Sequence, residues 1–200
     1  MTYADSTLDD IAEKFGYRSR AGSLFPSLTP VDVPTWLTAL LAKNTPLAFI
    51  SEKSRSESII SPILTAAREV TADRLAVFSG QRLDIDPARG LTGECDFILS
   101  LAEPVTPLRS PLVTVVEAKK ADIELGLGQC IAEMIGAKAF NDAAGEPGRT
   151  IYGCVTSGEV WQFLRLDINA AIQDVHRYSL AELDSILGAF VAIADADSPE

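Results

Sequence analysis

One stretch of this chain constrains its fold more than any other: Leu112-Val-Thr-Val-Val-Glu-Ala-Lys119. A near-continuous apolar run of this kind suits a central strand covered on both faces. Such a strand calls for a sheet with helices packed against it, an α/β (α+β) architecture. The run then ends on two charges. Residues i and i+2 of a strand point to the same side. Glu117 and Lys119 therefore project together from the rim of a core strand, where either one, buried alone, would be costly.

The neighbouring segments supply the rest of such a sheet. Strands are expected at Leu75–Leu83 and Leu91–Leu101, before the central strand Leu112–Ala118. Turn residues separate them, at Asp86-Pro-Ala-Arg-Gly90 and in the proline-rich 104–111. A helix is expected over 52–72, with Ile59, Ile60, Ile63, Leu64 and Ala67 as its apolar stripe and Pro62 as a kink or as its true beginning. A second covers 122–142, with Leu127, Ile131, Met134 and Ile135 on its apolar face. A strand pair, 150–156 and 160–167, turns at Ser157-Gly158. A final helix covers 179–194, with Ser179 and Glu182 spaced as a capping box. Before this unit, residues 1–50 read as an N-terminal helical addition to the domain 51–200: helices at 7–16 and 35–43 flank a loop at 18–34, rich in Ser, Pro, Gly and Thr.

Composition narrows the chemistry. With 200 residues, one domain is expected, and 47% hydrophobic with 22% charged residues is an ordinary globular balance. No apolar run is long enough to cross a membrane, and no secretory leader is evident at the N-terminus. Cys95, Cys130 and Cys154 share no metal-ligand spacing and suit buried thiols in a reducing cytoplasm. A single histidine, His176, removes histidine-rich zinc sites; no nucleophile elbow or phosphate-binding glycine loop is present. Carboxylate, amide and lysine chemistry remains. The net charge of −11 argues against a general nucleic-acid binder, but residues 150–200, with 8 acidic and 2 basic side chains, hold over half of it.

Asp96 interrupts the second strand, in Gly93-Glu-Cys-Asp-Phe-Ile-Leu99. Strict alternation puts Cys95, Phe97, Leu99 and Leu101 on one face and Asp96 with Ile98 on the other. If this strand lies beside the central one, Asp96 and Glu117 converge. With the Ala118 carbonyl they would form a hard-oxygen site for Mg²⁺ or Mn²⁺. Lys119 could then orient a water or stabilise charge on a phosphate. Gln129 lies in the first turns of the next helix, on the side of the small residues Ala132 and Gly136. Glu57, at i−3 and i−7 from Ile60 and Leu64, is expected to point inward.

An inward helical Glu, a G-x-x-D, an apolar strand ending in E-x-K and a following Gln together resemble the PD-(D/E)XK nucleases. The matching segments are Glu57–Leu64, Gly93-Glu-Cys-Asp96, Val116-Glu-Ala-Lys119 and Gly128-Gln129. The chain is most similar to the nuclease domain of type I restriction motor subunits and its small stand-alone relatives, also through Ile151–Gly158 and Val160–Phe163. The resemblance spans about 50–165. It implies a restriction-endonuclease-like mixed sheet, with Asp96 and Glu117 binding a divalent metal, Lys119 catalytic, Gln129 beside it and Glu57 an outer carboxylate. It implies nucleic acid, DNA foremost, as substrate, with the strand ends and the segment Arg68–Arg89 facing it. A homodimer is the family pattern, and the acidic C-terminal quarter offers a surface for a protein partner.

Structural roles compete with each assignment. Glu117 and Lys119 could be a rim ion pair, Asp96 a turn cap, and Gln129 a solvated amide. Glu57 competes with Glu52 and Glu69. Lys120 and Lys138 could touch phosphate or remain solvated. His176 reads as an ordinary polar residue, Trp36 and Trp161 as packing residues. In function, the alternative is a non-catalytic binding or regulatory module on a nuclease-like scaffold.

Overall fold

The computed structural model describes residues 2–48, 51–104, 107–119 and 122–196. Its strands are β1 (Arg18–Gly22), β2 (Ala76–Arg82), β3 (Glu94–Ser100), β4 (Leu112–Ala118), β5 (Tyr152–Thr156), β6 (Val160–Asp167), β7 (Ala170–Asp174) and β8 (Tyr178–Ser179). They form one mixed sheet in the order β1-β7-β6-β5-β4-β3-β2, with β8 beside β6. β4 is the hub. It pairs antiparallel with β3 and parallel with β5, and all seven of its residues are buried.

Helices cover both faces, as an apolar strand of this kind requires. On one face lie α2 (Thr35–Ala48), α4 (Ser61–Val70) and α6 (Leu183–Ala196), packing Leu37, Ile63, Leu64 and Phe190 against Val113, Val116 and Phe163. On the other lie α1 (Leu8–Phe15) and α5 (Leu127–Ala143), packing Ile11, Ile131 and Met134 against Val115 and Val155. The α/β class expected from the sequence is thus present. Among the described residues no helix is long and apolar enough to cross a membrane.

Several local expectations need correction. Residues 18–34 are not all loop. β1 pairs in parallel with β7, Arg18 opposite Ala170. It is an edge strand of exposed residues, so no apolar alternation marks it. β7, begun by two alanines, carries an equally weak strand signal. Strict alternation also fails in β3. Phe97 and Leu99 join the α4 side of the core, whereas Cys95 and Ile98 join the α5 side. The β2–β3 ladder pairs Ser79 with Phe97 and Gln81 with Cys95 but opens between them, where Gly80 has φ +62° opposite Asp96. Side chains change face across that opening.

The N-terminal segment is built into the same layers. Tyr3 is buried, with Gly93 and Gly136 leaving room for its ring. Gly128 lets α5 lie against the backbone of Ser6 and Thr7. The helix expected over 52–72 is present in three parts: α3 (Glu52–Arg55), a π turn over Ser56–Ile60, and α4, with Pro62 in its first turn. Pro62 begins α4 directly after the π turn, and the Ser58 carbonyl that its missing N–H leaves open accepts from Asn44 Nδ2 at 3.0 Å.

Candidate active site

Adjacent strand ends bring three of the sequence candidates together. The Ala118 backbone N–H donates to Asp96 Oδ2 at 2.8 Å, tying β3 to the end of β4. Lys119 N donates to the Thr156 carbonyl at 2.8 Å, which continues the β4–β5 pairing past the last strand residue. The backbone leading into Lys119's attachment point is therefore fixed. Its Nζ lies 2.6 Å from Glu117 Oε1, and the two side chains are 21% and 3% exposed. The i, i+2 geometry anticipated for this pair is present.

Gln129 is not a solvated amide. Its Oε1 accepts from Lys119 Nζ at 3.0 Å, and its Nε2 donates to Glu133 Oε1 at 3.0 Å. Glu133 is fully buried and escaped the sequence analysis. Its signal was there: one acid inside the apolar run Leu127–Ala137, at i+4 from Gln129 and so on the same helical face. Glu133 and Glu117 are hydrogen-bonding neighbours. Their Oε2 atoms are buried and receive no hydrogen bond from any other described group. Glu117, Lys119, Gln129 and Glu133 thus close a ring of side chains between β4 and α5.

Burial governs the electrostatics. It pushes Glu117 up to about 7, assisted by Asp96 and opposed by Lys119. It pushes Glu133 well above the carboxylate range, with Glu117 adding to the effect. The proton of that pair therefore resides on Glu133, the deeper group. Asp96 is also raised by burial, against the Ala118 N–H that favours its charged form. Burial lowers Lys119, but Glu117, Glu52 and Asp96 outweigh it, and the ammonium is stabilised.

A cleft opens beside Asp96 and Ala118, walled by Glu52, Lys53, Ser56, Glu57, Ser79, Gly80 and Glu94. Glu57 does stand on its wall, but the inward orientation expected for it is wrong. Its side chain is 66% exposed, with Lys53 Nζ at 3.8 Å. The π turn over Ser56–Ile60 shifts the helical phase, so Ile59 and Ile60 enter the core while Glu57 leaves the stripe. Of its competitors, Glu52 shares the wall, and Glu69 instead accepts from Trp36 Nε1 at 2.7 Å. Trp36 is exposed and not the packing residue expected, Trp161 is core, and His176 pairs with Glu182 at 3.1 Å.

The arginines between 68 and 89 are held locally. Arg68 pairs with Asp73, Arg74 with Asp195 and Arg82 with Asp84, while Arg89 lies over the Phe15 ring. Lys138 pairs with Asp142. Lys120 lies outside the described residues.

Among the described residues no three His, Cys, Asp or Glu side chains group so as to hold a metal by themselves. The oxygens available to a hard cation are those of Asp96 and Glu117, the Ala118 carbonyl and water. One or two carboxylates with several waters is the coordination Mg²⁺ favours. Of the available oxygens, Glu117 Oε2 is orphaned apart from its carboxyl neighbour. The donor set fits the ion. Comparison of the chain with protein-family models, curated proteins and solved structures finds no match.

Proposed function

We propose that this chain is a metal-dependent nuclease of the PD-(D/E)XK type, with a restriction-endonuclease-like fold, hydrolysing phosphodiester bonds of nucleic acid, DNA foremost. One observation carries this: at adjoining strand ends, Asp96, Glu117 and Lys119 are held around the Ala118 peptide by hydrogen bonds of 2.6 and 2.8 Å. An isolated rim ion pair needs neither the buried Gln129–Glu133 support nor a second carboxylate on the next strand.

Asp96, Glu117 and the Ala118 carbonyl would hold Mg²⁺ or Mn²⁺. When bound, such a cation supplies a polarised water and neutralises phosphate charge. Lys119 donates to a phosphate oxygen as charge develops there, or orients the attacking water. Gln129 accepts from Lys119 and holds its Nζ toward Glu117. Glu57, exposed on the cleft wall, is an outer carboxylate. Free, buried Cys95, Cys130 and Cys154 suit a reducing cytoplasm.

A second reading, a binding module without catalysis, draws support from the cleft wall. There Glu52, Glu57 and Glu94 face a substrate that is itself polyanionic, with Lys53 as the cation among the wall residues. One experiment separates the two. Plasmid, linear duplex, single-stranded DNA and RNA are incubated with Mg²⁺, Mn²⁺ or EDTA, using wild type, Lys119→Ala and Asp96→Ala. Metal-dependent cutting, lost in both variants, is the expected result. No cutting of any substrate, with no Mn²⁺ binding by calorimetry, leaves the binding module.

A further inference from the structure

Hydrogen-bond polarity around the buried ring points to a role for the one member that the nuclease reading does not use. A lysine ammonium can only donate. The group facing Lys119 Nζ must therefore be the carbonyl end of Gln129, as the 3.0 Å contact to Oε1 has it. That choice turns the amide NH₂ of Gln129 toward α5, where it must meet an acceptor, and Glu133 Oε1 is that acceptor at 3.0 Å. Were position 133 apolar, the half-buried amide would lose a partner and its preferred direction. Turned over, it would present N–H groups to an ammonium.

We propose that Glu133 is a positioning residue that fixes the direction of the Gln129 amide, so that Lys119 is clamped between Gln129 and Glu117.

Burial supports this. Glu133 is fully buried in an otherwise apolar stretch of α5, among Cys130, Ile131, Met134 and Ile135. A carboxyl there costs stability that a leucine would not. Its presence is therefore accounted for by what it contacts: Gln129 through one oxygen and Glu117 through the carboxyl pair. Glu133 does not line the cleft; it reaches Lys119 through Gln129, and through Glu117 on the other side of the ring.

The test rests on the nuclease reading for one readout and not for the other. Glu133→Leu should fold with equal or higher thermal stability and lose on the order of 10- to 100-fold in kcat, the range for misplacing a catalytic group by about an ångström. KM should stay within about threefold, because substrate binding is not what the ring controls. Glu133→Gln should rescue most of that loss, since it keeps an acceptor for Gln129 and an N–H for Glu117. The double variant Gln129→Ala with Glu133→Leu should be no worse than Gln129→Ala alone. Additive losses, or a Glu133→Leu variant with wild-type kcat, overturn the proposal. The second readout is acetylation of Lys119 by acetic anhydride, followed by peptide mass spectrometry. It should be faster in Glu133→Leu and return to the wild-type rate in Glu133→Gln. If the wild type cuts nothing, the nuclease reading falls, and an unchanged acetylation rate in Glu133→Leu then overturns the clamp as well.

Discussion

The backbone of Gly126 rests on the side chain of Lys119. A Cβ built at Gly126 would lie 3.0 Å from both Cγ and Cε of Lys119 and 2.7 Å from Val155 Cγ1. Gly126 closes a 3-10 turn over Ile123–Gly126 that leads into α5. The turn is tethered from β8's side by Arg177, which donates to Glu124 Oε1 at 2.9 Å and to the buried Gln162 Oε1 at 2.8 Å. Lys119 is thus held at its tip by Glu117 and Gln129 and along its stem by this turn.

Gly126→Ala should therefore injure the site more than the fold. Its φ of −88° is accessible to alanine, so the cost is steric. Overpacking of this kind costs about 1–3 kcal/mol. Lys119 is the softer of the two neighbours and would be the one to move. We expect a modest drop in melting temperature with at least tenfold loss of cleavage, an estimate from the sensitivity of catalysis to ångström displacements. Full activity in the variant would show that the turn does not position Lys119.

The protonated carboxyl pair gives stability a pH dependence of definite sign. In the unfolded chain Glu117 and Glu133 titrate near their ordinary value of 4.5; in the fold Glu117 is raised to about 7 and Glu133 well above its ordinary value, both by burial first. The native state then binds more protons than the unfolded state above pH 4.5, so their contribution to stability falls as pH rises. Asp10, held at about 2 by Lys14 and Thr7, is ionised in both states over this window and does not bend the curve. Glu133→Gln removes one of the two groups. Its stability relative to wild type should rise from about pH 5 to about pH 8 in urea unfolding. A difference that is flat with pH would place the proton elsewhere.

Much of this site was legible in the sequence, for a physical reason. A strand buried on both faces admits few sequences, so β4 and its terminal Glu117 and Lys119 could be read from residue type alone. The Ser179–Glu182 capping box is likewise a local device, and it is present. What escaped depends on context. Glu57 was misplaced because a π turn changes helical phase without a residue signature. Glu133 was passed over because α5 is apolar nearly all round, which hides a single inward acid. β1 is a strand only because β7 leaves it an open edge to pair with.

The acidic cleft wall predicts that substrate binding is limited by repulsion. Glu57 and Glu94 line it and are exposed, and neither takes part in the Lys119 ring. Replacing one exposed charge near a polyanion changes affinity roughly twofold per nearby phosphate, less as salt rises. Glu57→Gln with Glu94→Gln should bind a labelled duplex several-fold more tightly at low salt, with the gain shrinking as salt is added. Weaker binding in the double variant would instead mean that these carboxylates contact the substrate or its cations directly.

Tyr3 tests whether the N-terminal segment belongs to the site. It is 1% exposed, its ring seated against Gly93 and Gly136, and its hydroxyl is buried without a hydrogen-bond partner among the described residues. A buried hydroxyl with no partner contributes nothing to offset its desolvation. Tyr3→Phe should therefore be neutral or stabilising by up to about 1 kcal/mol. Tyr3→Ala removes the ring from between β3 and α5 and should cost about 3–5 kcal/mol, the range for emptying an aromatic site. Because Gly136 lies on the helix that carries Gln129 and Glu133, the alanine variant should also lose cleavage activity under conditions where it remains folded, while the phenylalanine variant keeps it. Chemical denaturation and cleavage assays on the two variants decide this: a Tyr3→Phe variant destabilised by more than about 1 kcal/mol would reveal a partner for the hydroxyl. A folded and fully active Tyr3→Ala variant would uncouple the N-terminal segment from the site.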